Sequence, residues 1–68
     1  MQLYRLLSGP DDAEFCARIE KQLNKGWSLH GSPAATFNGD RVIVAQAIVR
    51  EIDGDYKGFV HLDNFDPD

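Results

Sequence analysis

One cysteine, two histidines and eleven acidic residues are what this 68-residue chain offers for chemistry. A reactive thiol needs nearby positive charge or a helix N-terminus. Cys16 falls a turn inside an expected helix, beside its apolar stripe, where a free cysteine is normally buried and inert. His30 stands between Ser28 and Ser32, an alternation that puts all three on one strand face. No orienting acid or oxyanion donor accompanies them, so nucleophilic catalysis has no support. His30 reads instead as a surface or interface histidine that lines a small polar site with Gln46. Asp53-Gly54-Asp55-Tyr56-Lys57-Gly58 begins like a calcium loop. Lys57 occupies a ligand position, however, and Asn64 stands where the bidentate glutamate belongs. His61, Asp63, Asp66 and Asp68 then read as solvation of an acidic tail. Gly9-Pro10-Asp11 lacks the glycine pattern of a phosphate loop. The chain is expected to be no enzyme and to carry neither cofactor nor metal.

The elements that position these residues can be read in order. Residues 2–8, with Leu3, Tyr4, Leu6 and Leu7, form a first strand that Gly9-Pro10 stops. Strict alternation is missing, so neither face is assigned. Asp11 caps a helix over residues 12–25, with Glu14 three positions later as in a capping box. Phe15, Ile19 and Leu23 recur every fourth residue with Cys16 alongside, while Arg18, Glu20, Lys21 and Gln22 fall on other faces. Gly26 is the left-handed terminator. Trp27 opens a second strand that runs to Phe37 and is interrupted at Gly31-Ser32-Pro33, as suits an edge. Asn38-Gly39 marks a hairpin. Residues 41–52 form a third strand, apolar on both faces and therefore central. The fold is α+β: strand, helix, strand, strand, in a three-stranded sheet of order 1-3-2 with the helix on one face.

The hairpin register decides which residues share a face. A two- or four-residue loop sets Trp27, Leu29, Ala35 and Phe37 with Val42, Val44, Gln46 and Ile48. A three-residue loop, or one bulge near Pro33, sets them with Ile43, Ala45, Ala47 and Val49. The second arrangement makes a wholly apolar face against the helix and is the one expected; His30 then shares the opposite face with Gln46. Either way one helix cannot cover both sides of the sheet. Residues 1–52 form the domain, and 53–68 are an acidic, partly ordered tail in which Tyr56 to Leu62 could add a short fourth strand.

Composition narrows the partners. A formal charge of −4 and seven scattered bases argue against nucleic acid. No apolar run approaches the ~20 residues of a membrane span. The single cysteine excludes an intrachain disulfide and suits a cytoplasmic location. A domain this small buries only about 60% of its unfolded surface, so self-association is the expected source of extra stability.

Leu3-Tyr4, Gly9-Pro10-Asp11-Asp12, Phe15-Cys16, Leu23-Asn24-Lys25-Gly26-Trp27, Leu29-His30-Gly31-Ser32-Pro33, Thr36-Phe37-Asn38-Gly39 and Gln46-Ala47 stand in one order. Together they resemble the bacterial domain-of-unknown-function family 1737, over about residues 3–49. The Gly26-Trp27-Ser28-Leu29 join is also similar to domain-of-unknown-function family 4177, which implies a strand-helix-strand-strand unit. Neither resemblance implies a reaction or a substrate. The expected role is a non-enzymatic protein-interaction module whose partner is a second copy, or else another protein. The alternative is a small-molecule-binding regulatory domain. Trp27, His30, Gln46, Tyr56 and Phe59 are the candidate binding or interface residues.

Overall fold

A computed structural model describes residues 1–56 and 58. It contains β1 (Gln2–Pro10), α1 (Ala13–Leu23), β2 (Ser28–Phe37) and β3 (Val42–Glu51). The sheet order is β1-β3-β2, and β3 is antiparallel to both neighbours. This is the α+β arrangement expected, with α1 on one face. The expected fourth strand and the tail beyond Gly58 lie outside the described residues.

The boundaries differ instructively. β1 passes through Gly9 and Pro10 instead of stopping before them. Asp11 N–H donates to Val42 O (3.1 Å) and Ile52 N–H to Met1 O (2.8 Å), extending the β1–β3 ladder by a pair at each end. The odd-numbered residues of β1 therefore bond to β3, and Pro10 falls at an outward position where a missing N–H costs no ladder bond. Gly9 faces the helix: a Cβ there would stand 3.4 Å from Arg18 Nη1 and 3.5 Å from Phe15 Cδ2. The helix cap is Asp12, not Asp11; its Oδ1 accepts from Phe15 N–H at 2.9 Å. Glu14 is then too early to complete a capping box. It still places negative charge in the first turn, where the dipole favours it.

At the other end, Trp27 N–H donates to Gln22 O and Gly26 N–H to Leu23 O. That 6→1 and 5→2 pair is a Schellman ending, with Gly26 at φ 98° supplying the left-handed residue. It turns Trp27 back under the helix, where the indole is 3% exposed. Leu3, Leu7, Phe15 and Ile48 complete the core, with Met1, Ile19, Val44 and Ile52 packed around them.

The helix is rotated from its apolar stripe. At about 100° per residue, Leu23 lies about 80° round from Phe15, whereas Gln22 lies only about 20° from it on the other side. Leu23 is accordingly 40% exposed and Gln22, expected on a solvent face, is 1% exposed. Cys16 follows Leu23: it is exposed rather than buried. Among the described residues the Gln22 amide has no hydrogen-bond partner at either Oε1 or Nε2. A buried amide left unpaired costs about 1–3 kcal/mol relative to an apolar group of the same shape. Gln22→Met is therefore expected to stabilise the fold by about 1–2 kcal/mol. In a domain of this size each kcal/mol raises Tm by roughly 4–8 °C, which a thermal melt followed by circular dichroism would detect.

Candidate functional site

The register places the site. Phe37 pairs with Val42, Ala35 with Val44 and Leu29 with Ile48. The hairpin thus has a four-residue loop, Asn38 to Arg41, closed by Asn38 N–H to Arg41 O at 3.2 Å. The Asn38 carboxamide oxygen accepts from the N–H groups of Asp40 and Arg41, each at 2.9 Å. An Asx side chain that holds two backbone donors makes this loop, and not a three-residue one, the preferred closure. Along β2 the register shifts between His30 and Ala34, so that Gly31, Ser32 and Pro33 stand opposite Gln46 alone. Two residues are in excess. An even excess restores the alternation, and Leu29, Ala35 and Phe37 stay on the helix face with Val42, Val44, Gln46 and Ile48. The preferred sequence reading, which put them with Ile43, Ala45, Ala47 and Val49, is corrected by this pairing.

Gln46 explains why the break is held. Its side chain is buried at 6% exposure. Nε2 donates to Ala47 O at 2.9 Å and reaches Gly31 O at 3.3 Å and His30 O at 3.4 Å. Gly31 lies in the bulged segment, and His30 and Ala47 form the last ladder pair before it, so the amide sits where regular pairing stops. Gln46 and His30 are thus joined through backbone, while their side chains point to opposite faces.

The remaining candidates separate. Trp27 is in the core. Tyr56 is 78% exposed just past β3, and Phe59 lies outside the described residues. No helix among the described residues is long and apolar enough to cross a membrane. Nor do three or more His, Cys, Asp or Glu among them come together in a way that could hold a metal ion.

What the strands do bring together is the sheet face away from α1. Its middle carries Tyr4 and Leu6 from β1, Ile43, Ala45, Ala47 and Val49 from β3, and Ala34 from β2, bordered by Gln2, Ser8, Ser28, His30, Thr36 and Glu51. Tyr4 is 53% and Leu6 60% exposed. No element among the described residues packs on this side. The helix-facing side is not wholly apolar, because Arg5, Gln46 and Arg50 point to it beside Leu3, Leu7, Val44 and Ile48. From strand spacing and rise, the apolar block measures roughly 300 Å² in projection, comparable to the largest apolar patch of an ordinary monomer, which is often functional. Tyr4 and Leu6 were missed in the sequence because apolar residues occupy both faces of β1; Gly9, small enough to lie under the helix, was the available sign that odd-numbered residues point inward.

A second apolar feature is a groove of about 350 Å³ between α1 and β2, lined by Cys16, Ile19, Leu23, Leu29, Pro33 and Gln46 among others. It exists because the rotated helix leaves Leu23 and Cys16 beyond the reach of β1 and β3.

Residues 1–51 match the family model described as "Domain of unknown function (DUF1737)". The chain belongs to this family. The similarity to family 4177 rests on the Gly26 to Leu29 join alone. No curated protein and no solved structure matches the chain. The DUF1737 match ends at Glu51, the last residue of β3, so it spans the sheet, the helix and every residue of the open face.

Gln46 offers a direct test of how the break is held. Gln46→Glu removes the only amide donor and sets a carboxylate against three carbonyl oxygens. A loss of roughly 2 kcal/mol or more is expected, read as a lower urea midpoint at neutral pH; an unchanged midpoint would mean the carbonyls do not depend on that side chain.

Proposed function

We propose that this DUF1737 protein is a non-enzymatic interaction module that self-associates as a two-fold dimer through its open sheet face. The observation that supports it is the apolar outer side of β3. The strand turns Ile43, Ala45, Ala47 and Val49 away from the helix, with Glu51 at its end, while Val42, Val44 and Ile48 share the helix side with Gln46 and Arg50. A sheet whose outer side met only water would alternate apolar in and polar out. A two-fold contact matches a patch to itself. Small Ala45 and Ala47 at the middle let two sheets approach closely, with Tyr4, Leu6, Ile43 and Val49 interlocking around them. His30 and Thr36 would then sit at the rim.

Such a pairing removes Leu6 and Tyr4 from water, and full burial of side chains of this kind stabilises by about 1.5–3 kcal/mol each. It also supplies what a short chain lacks, a second layer of apolar contacts. The acidic balance of the chain keeps the remaining surface soluble and does not oppose the contact, since the apolar block contains no charged residue.

Light scattering behind a sizing column tests the reading. Twice the 7.6 kDa chain mass is expected at tens of micromolar. Leu6→Glu, which places a charge inside the patch without touching the core, is expected to weaken the dimer at least a hundredfold, as a desolvated unpaired charge should. A monomeric mass for the unmodified chain would sink the proposal.

A further inference from the structure

Among the described residues no strand pairs with the outer edge of β1. Because odd-numbered residues bond to β3, the backbone groups of Gln2, Tyr4, Leu6 and Ser8 turn outward. An uninterrupted edge of this length is a template on which another strand can add. The opposite edge, β2, is blunted by the two-residue excess and by Pro33. β1 has no bulge along its length and no proline before its last residue. What it has is two guanidinium groups. Arg5 Nη1 donates to Tyr4 O at 2.8 Å, so the side chain leaves the helix face and folds over the edge to the carbonyl just before it. Arg18, reaching across from α1, donates from Nη1 to Ser8 O at 3.2 Å and lies 5.9 Å from the Phe15 ring centroid. Two of the outward carbonyls are therefore occupied by side chains of the same molecule, four residues apart on either side of Leu6.

We propose that Arg5 and Arg18 guard this edge, and that what they exclude is β1 of a second copy. Antiparallel pairing of two β1 strands about Arg5 would bring the two Arg5 side chains face to face at the axis. It would also require the Tyr4 and Ser8 carbonyls to exchange charge-assisted bonds for ordinary ones. Both effects act in the same direction. Occupied carbonyls remove acceptors from the edge, and an inward-pointing charge in its middle penalises the symmetric partner. The guard is distinct from the open face: one limits growth within the plane of the sheet, while the other concerns contact above it. Together they would let an assembly close at two chains.

The test uses the full chain carrying both Arg5→Gln and Arg18→Gln, compared with the unmodified protein by light scattering and by amide hydrogen exchange. The double variant is expected to gain mass with concentration beyond whatever state the unmodified chain adopts. The outward N–H groups of Tyr4, Leu6 and Ser8 should exchange at least tenfold more slowly as it does so, since only strand addition protects them. If the double variant does not fold, each single variant is expected to show the same change in smaller degree. An unchanged mass in folded variants would overturn the proposal. So would association that leaves the exchange of those three amides as it was.

Discussion

The break in β2 holds this fold to one register. Three residues stand opposite Gln46 where one would do, and the buried Gln46 amide reaches the carbonyls of His30 and Gly31 where the excess begins. Had the excess been one residue, either Leu29 or the Ala35–Phe37 segment would have turned to the other side, and the core would have lost its outer wall. With two, both halves of β2 serve the same face. The four-residue Asn38 loop closes the hairpin in the same register, so two separate devices agree. Agreement between local devices of this kind is what gives a short sequence a single structure.

From that register follows the division of polarity across the sheet. The core beneath α1 is small, with four buried apolar side chains around Ile48 among the described residues, and it tolerates Gln46 beside Leu7 and the buried Gln22 of the helix. The other side is continuous in apolar character from Tyr4 to Val49. A domain of this size has little surplus stability with which to hold an apolar side against water. Contact above the sheet and the guarded edge beside it are separate answers to separate hazards, and each uses residues that the core does not need.

Much of the architecture was legible in the sequence because its signals were local. The Asp11-Asp12 pair and Gly26 bracket the helix, though the cap falls on Asp12 and not on Asp11; Asn38-Gly39 announces the hairpin, and the run from Val42 to Val49 has to be central. The strand order followed from placing that run between the other two. What the sequence hid was parity. Gln46 stands in an apolar run and was assigned to the outside because it is polar, yet it points inward because the break needs a donor. Gln22 and Leu23 exchanged their expected roles because an every-fourth-residue stripe drifts round the helix by about 40° per step. The faces of β1 stayed unassigned because apolar residues stand at both parities; the helix packing over Gly9 puts Arg5 on the helix side and Tyr4 and Leu6 on the open one.

One consequence of the strand order concerns time rather than space. β2 and β3 are joined by four residues, and their pairing closes over a short loop. Among the described strands β1 pairs only with β3, joining Gln2 to Glu51 across almost the whole domain. Contacts of such separation are paid for late, after the local ones have formed. On a ribosome β1 emerges before β3, and its pairing has to wait until the last residues of β3 have left the tunnel, so the sheet closes at β1 last.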